Sequence, residues 1–360
     1  MTMLDTMTQA RTATPVVLYN DKDISAGLLP YLKQLSYTDN MSGKADDLEL
    51  TLEDREGLWE GDWMPDKGAT LKASLTTSNW GSLFEGEQSL DLGQFEVDTI
   101  TCKGMPSEVT VKAVSIPDNN KLRGEEHSRS WEKAKLSAIA GDVATGAGMT
   151  LKYTAPDDPQ IDRAEQTDES DLAFLQKLCS DHGVAVKIYK DQLILFDEVD
   201  YERAEPKITI VRPGSLVAMA DTADMLYVSQ LTGWSFESKI RDTYKACHVK
   251  YKTGKDKGVI EATFTAPDKK EGKTLQIHEQ VASIAEAEKL AKRKLREKNQ
   301  EEVTGSIDCM GCLALLTSLT VQLTGFGRFD GKYLITEAKH EMGSSGYTTS
   351  INVRRCLNGY

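Results

Sequence analysis

Cys309 and Cys312 enclose Met310 and Gly311 at the spacing that can chelate zinc or cycle between dithiol and disulfide. A zinc site needs a second Cys or His pair at defined spacing, and a thioredoxin-like site needs its helix and βαβ setting. Neither surrounds this pair, so the motif reads as a structural turn. His278-Glu279 and His340-Glu341 each offer an imidazole beside a carboxylate, but no second His stands three residues beyond either Glu. The metalloprotease motif is therefore absent. The five histidines fall on different predicted elements, and these two read as a solvated pair or a core hydrogen bond.

Gly141 to Gly148 is glycine-rich but lacks the Gly-Lys-Ser/Thr ending that supplies the lysine and hydroxyl of a phosphate loop, so it reads as a helix end and loop. Gly325-Phe326-Gly327, with Gly331 beyond, leads into a segment that alternates like a strand and opens no helix to hold a pyrophosphate. No Gly-x-Ser-x-Gly elbow occurs. Asp46-Asp47, Asp157-Asp158 and Glu301-Glu302 could be pictured as glycosidase carboxylates, yet among 56 acids adjacent pairs arise by chance and read as solvated surface. The basic run Lys289 to Lys298 is interleaved with Glu286, Glu288 and Glu297 and carries no aromatic residue on which a base could stack. Trp59 and Trp63, near Pro65 and Gly68, could anchor a neighbouring protein or pack as a turn on a barrel wall. No catalytic, cofactor-binding or metal site is predicted, and no cofactor.

The elements that carry these residues are mostly strands. Apolar residues alternate at Val16 to Tyr19, at Leu48, Leu50 and Leu52, and at Leu71, Ala73 and Leu75. Phe95, Val97, Thr99 and Thr101, the Gly104-Met105-Pro106-Ser107 turn, and Val109, Val111 and Ala113 form a predicted hairpin ending near Pro117. From Ser130 the period changes: Trp131, Ala134, Lys135, Ala138 and Ile139 share a helical face, with Gly141 placed to end it. Ser170 caps a second helix containing Leu172, Leu175 and Cys179, ended by Gly183, before strands at Val184 to Tyr189 and Leu193 to Phe196.

Strands return at Lys207 to Val211, Tyr227 to Leu231, His248 to Tyr251 and Val259 to Phe264, the last two joined by a turn at Gly254 to Gly258. One strong helix follows, with Ser283 and Glu286 at capping-box spacing and Ile284, Ala287, Ala291 and Leu295 as its apolar stripe. Asp330-Gly331 reads as a tight hairpin turn between Val321 to Leu323 and Tyr333 to Thr336, and a last strand lies near Thr348 to Val353.

The chain has 360 residues, enough for two or more packed units. Its 43 basic and 56 acidic residues leave a net charge of -13, which argues against coating nucleic acid or an anionic membrane. The start is polar with no signal-like apolar run, and no stretch approaches the roughly 18 apolar residues of a membrane span, so synthesis in a cytoplasm and no membrane anchor are expected. In such a compartment the six cysteines should mostly be buried thiols.

The expected fold is α+β, mostly β. Residues 1–14 should be a flexible polar N-terminus, 15–117 a first β-rich barrel, and 118–205 an inserted α/β domain. Residues 206–235 should return to the first barrel or connect onward, and 236–360 should form a second barrel containing helix 283–298.

The order of four loose patterns is informative: the run Ala45 to Asp54, the turn Trp63 to Gly68, the run Gln166 to Leu175 with Gly183, and Phe329 to Ile335 with His340 and Gly346-Tyr347. In this order the chain resembles the phage late control D family of contractile-tail baseplate hub proteins, which are similar to the N-terminal part of type VI secretion spike proteins. The resemblance runs over nearly the whole chain after Thr14. It implies two tube-like antiparallel β-barrels per chain and a homotrimer that adapts a sixfold tail tube to a threefold central spike. The implied partners are a tail tube or tube initiator protein, the spike and other baseplate proteins, with no specific nucleic-acid binding. The implied place is the baseplate of a virion or tail-like particle assembled in the bacterial host cytoplasm. The alternative reading is a phage cell-wall hydrolase or carbohydrate-binding tail protein.

Overall fold

Along Asp47–Glu53 every second residue is apolar, and Leu48, Leu50 and Leu52 turn inward while Asp47, Glu49, Thr51 and Glu53 stay partly exposed. Thr70–Ser78 repeats this pattern with Leu71, Ala73 and Leu75. The computed structural model describes residues 10–66, 68–81, 85–115, 122, 125–189, 191–215, 225–241, 243–252, 258–344 and 346–360. The expected turns around Pro117 and Gly254, and residues 1–9 of the expected flexible N-terminus, lie outside them. The strand Thr12–Tyr19 already includes Thr12 to Thr14, which pair with Ser78 to Thr76, so the polar threonines serve an edge of the sheet instead of a free tail.

The chain divides into two compact units, Met1–Val199 with Asp308–Ser318 and Thr336–Ile351, and Asp200–Ile307 with Leu319–Ile335 and Asn352–Tyr360. The segments Asp308–Ser318 and Thr336–Ile351, expected in the second barrel, thus belong to the first unit. The cause is a pairing invisible to local pattern: Glu337 to Gly343 run antiparallel to Gln34 to Asn40. The 118–205 insertion is likewise not a separate body up to Val199, because it is tied into the first unit by buried polar contacts described below.

In the first unit an antiparallel path runs from the Thr336 to Gly343 stretch of Gly331–Gly343 through Leu32–Asn40, Asp47–Glu53, Glu108–Val114, Glu87–Lys103, Thr70–Ser78 and Thr12–Tyr19 to Lys22–Asp23. Its inner face is one core that includes Val17, Leu35, Leu48, Leu75, Phe95, Val111, Met342 and Tyr347. No ladder closes this path among the described residues, but Trp80 Nε1 donates to Gly311 O at 2.7 Å and Arg11 Nη1 to Met310 Sδ at 3.1 Å.

The insertion in the same unit has its own core around Leu136, Ile139, Val143, Phe174, Leu175 and Leu195. There the predicted first helix begins late. Glu126–Lys135 is a strand paired with Gln160–Ser170, and the helix is Leu136–Gly146, passing through Gly141 to a left-handed Gly148 at φ 69°. Lys133, at φ 47°, breaks the strand's alternation, so that Trp131 and Ala134, three residues apart, both reach the core. That spacing imitates a helical stripe. Asp171–Asp181 is the second helix, with Ser170 Oγ accepting from Ala173 N at 3.3 Å and Gly183 at φ 73°.

In the second unit Ile208–Val211 is buried at every position and lies parallel to both Leu226–Val228 and Thr320–Thr324, as a two-sided apolar run should. The pairing continues from Thr320–Thr324 to Gly331–Gly343, then Gly346–Arg355, Val303–Met310 and Leu231–Ser238. The two ends of this path, Leu226–Val228 and Leu231–Ser238, are consecutive strands separated only by Ser229 and Gln230. A three-stranded sheet of Val259–Thr265, Tyr244–Lys252 and Lys273–Ile277 packs against the helix Ile284–Asn299. Ser283 caps that helix as expected, accepting from Glu286 N at 3.2 Å, but Ile284 is exposed and Leu290 completes the buried stripe of Ala287, Ala291 and Leu295. The Asp330-Gly331 turn is also corrected: a 3-10 turn at Gly327–Phe329 makes a longer loop, held by Phe326 N donating to Asp330 Oδ1 at 2.6 Å.

The alternation sets a direct stability test. Leu48→Ala should lower the unfolding free energy by about 2–5 kcal/mol in a urea titration. Glu49→Ala, on the outer face of the same strand, should change it by less than about 1 kcal/mol, because its pair with Lys112 is solvent-screened.

Candidate functional site

The structure places the chemistry-capable residues apart and fills most of them with structural partners. Cys309 and Cys312 are both free thiols; Cys309 Sγ donates to Thr349 O at 3.4 Å, and Cys312 N donates to Thr349 Oγ1 at 2.9 Å. The motif is a strand end fastened to Gly346–Arg355, and burial pushes the Cys309 thiol up to about 12, away from the reactive thiolate. His340 is fully buried: Nε2 donates to Leu315 O at 3.0 Å, which leaves Nδ1 to accept from Tyr347 Oη at 2.8 Å. Burial lowers its pKa to about 4, so the ring is neutral. His278, by contrast, is exposed, with Nδ1 beside Lys250 O at 3.3 Å.

Each acid pair has a local task. Asp158 caps the helix Leu136–Gly146 through Ser137 N at 3.0 Å and Ser137 Oγ at 2.7 Å. Glu301 pairs with Lys239 at 3.2 Å and Glu302 with Lys269. Asp46 lies in a buried cluster that the sequence did not announce. Lys187 Nζ binds Asp39, donates to Asn40 O at 2.9 Å and Thr317 Oγ1 at 3.3 Å, and lies 3.7 Å from Asp46. Asp39 and Asp46 in turn accept from Thr317 N and Asn40 N, each at 2.8 Å. Burial raises the Asp46 carboxyl to about 7 against the pull of Lys187. This cluster ties the insertion strand Ala185–Tyr189 to Leu32–Asn40 and to Thr317. A second cluster lies in the second unit, where buried Glu202 accepts from Arg296 at 2.7 and 3.1 Å and also binds Arg354.

Among the described residues no group of three or more His, Cys, Asp or Glu could hold a metal ion. No described helix is long and apolar enough to cross a membrane. A cleft of about 590 Å³ in the first unit is lined by Lys72, Asp91, Glu96 and Asp191 with Phe95 and Met149, and no histidine or cysteine is among its described lining residues. Gly325-Phe326-Gly327 ends a strand and enters the 3-10 turn, and the basic run is divided: Lys289, Lys292 and Lys298 are exposed on the helix Ile284–Asn299, while Arg296 turns in to Glu202. Trp59 is buried in an edge-on cluster with Tyr31 and Trp63, while Trp63 stays exposed.

What is left is a scaffold of strands whose buried polar groups hold segments in register. The model of the phage tail baseplate hub family matches residues 97–346. The chain belongs to that family. A probable baseplate hub protein of Escherichia phage 186 is 25% identical over 366 residues, covering 93% of this chain and 90% of that protein. The 43 kDa tail protein of prophage MuSo2 from Shewanella oneidensis has the same fold, with a TM-score of 0.68 at 13% identity over 96% of this chain and 98% of that one. An Escherichia coli type VI secretion component, itself described as similar to two bacteriophage T4 tail proteins, gives a TM-score of 0.55 at 11% identity over 92% of this chain and 75% of that one. This baseplate hub protein is structural and not an enzyme, as its family establishes, which sets aside the wall-hydrolase reading.

The buried His340 of the hub makes stability depend on acid in a defined sense. Its pKa falls from 6.5 to about 4 on folding, so between those values the unfolded chain binds more protons. The stabilisation is complete above about pH 6.5 and is lost as pH falls through the window, up to roughly 3 kcal/mol. Asp46 acts in the opposite sense, since its raised pKa favours the folded chain at low pH and that contribution is lost as pH rises through about 7. Comparing His340→Gln with the parent removes the Asp46 effect, which both share. The parent's advantage in unfolding free energy over the variant should shrink by up to roughly 3 kcal/mol from pH 6.5 to 4, measured by denaturant titration of both at each pH.

Proposed function

We propose that this hub is a homotrimeric symmetry adapter that joins the sixfold tail tube to the threefold central spike. Each chain supplies two tube-like strand assemblies, so three chains present six similar faces on one side and a threefold face on the other. The observation that carries the reading is the strand path from Leu226–Val228 to Leu231–Ser238, which starts and ends in the second unit on two consecutive strands parted by Ser229 and Gln230. A path of that kind needs only a continuous strand to become a closed barrel, and a closed barrel has no edges. The first unit supports the same reading through the Trp80 and Arg11 contacts that bridge towards Gly311 and Met310.

In this reading the partners are the tail tube or its initiator, the spike and other baseplate proteins. The likeness to a type VI secretion component supports the spike side. The net charge of -13 suits a ring through which DNA or a tape-measure protein passes without adsorbing. Assembly takes place in the host cytoplasm, and the role is the same in an infectious phage and in a toxin-injection particle.

Light scattering on the purified full chain at several concentrations tests the trimer. The expected mass is three times 39.8 kDa alone, or that mass plus the bound spike once the spike protein is added. A chain that stays monomeric with both spike and tube proteins present would contradict the proposal.

A further inference from the structure

One surface of the first unit combines exposed aromatic area, unpaired charge and a buried polar group without a partner. The loop after Asp47–Glu53 folds on Asp54, whose carboxylate accepts from Trp59 N at 3.0 Å and Glu60 N at 2.9 Å. Trp63 N then donates to Leu58 O at 2.9 Å and Met64 N to Gly61 O at 3.1 Å. These bonds make the loop a built platform, and its shape is set before any partner arrives.

On the platform the Tyr31, Trp59 and Trp63 rings meet edge-on at 5.4 to 6.1 Å between centroids. Trp63 and Met64 are each 45% exposed. Trp59 is only 7% exposed, and its Nε1 is enclosed without an acceptor. Around this cluster Glu56, Glu60 and Asp62 are exposed and make no ion pair among the described residues. Arg55 is drawn to Glu53, and Lys67 lies outside the described residues.

We propose that this surface docks a segment of another tail protein, one that presents an apolar side chain flanked by Lys or Arg and a free backbone carbonyl. The apolar residue covers Trp63 and Met64, as exposed Trp on a fixed loop is the usual anchor of an interface. The basic residues pair with Glu56, Glu60 and Asp62, which pair with no cation among the described residues. A carbonyl that enters beside Trp63 gives Trp59 Nε1 the acceptor it lacks in the free chain. A second copy of this chain matches the surface less well, because it carries the same net charge of -13. The inference does not depend on the trimer.

The test replaces Trp63 by the photo-cross-linking residue p-benzoylphenylalanine in the full chain, assembles tails, irradiates them and identifies the linked peptide by mass spectrometry. Met64 is the second position if the first variant is not incorporated. The expected product links to a different protein, at a segment with Lys or Arg beside an apolar residue. A link to a second copy of this chain, a link to an acidic or uncharged segment, or no link in complete tails would overturn the proposal. Adding Glu56→Lys, Glu60→Lys and Asp62→Lys together, with folding checked by circular dichroism, should reduce the linked product about tenfold. An unchanged yield would remove the charge from the account.

Discussion

Leu32–Asn40 is the strand on which the first unit depends. On one side Leu35 and Tyr37 lie opposite Leu50 and Leu48; on the other, Tyr37 lies opposite His340, which comes from near the far end of the chain. Tyr37 meets Phe95 edge-on at 6.0 Å and stacks on His340 at 6.2 Å, so the core is finished only when the late segment arrives. Closing so long a loop adds only a logarithmic entropy cost to stability, but it slows folding, because the non-local pairs must form before they reward the chain. The first unit therefore cannot complete its core from its N-terminal residues alone.

The buried charges explain how such a pairing is held in one register. Alternating strands of Leu, Val and Thr leave neighbouring even-step registers close in energy, since the same face stays buried. Lys187 reaches Asp39, Asn40 O and Thr317 together only in the observed alignment, and Glu202 reaches Arg296 and Arg354 only in its own. Such clusters add little net stability against well-packed apolar groups, yet removing one partner costs about 3–5 kcal/mol. Their role here is specificity of assembly within the chain.

Much of the strand pattern was legible. Leu48 to Leu52, Leu71 to Leu75 and the hairpin through Gly104 appear where alternation places them, and Ser170 and Ser283 cap the helices they precede. Trp131 and Ala134 misled because a single left-handed residue, Lys133, gave a strand the spacing of a helix. Leu32–Asn40 escaped notice because Lys33 and Gln34, then Ser36, Thr38, Asp39 and Asn40, are polar, and several of them face buried partners instead of solvent. Lys187 carried no signal either: between Val186 and Ile188 it occupies the position alternation assigns to solvent. Buried polar clusters are defined by elements distant in sequence, so no local window contains them. The hub identity rested on the order of segments.

The central claim is that one chain supplies two alike strand assemblies to a ring. A cryo-electron microscopy reconstruction of assembled baseplates, computed without imposed symmetry, tests it most directly. The account predicts three copies of this chain around the axis, with strand assemblies spaced six to a turn on the tube side and three to a turn on the spike side. Six copies of the chain, or three copies whose tube side shows only threefold spacing, would contradict it.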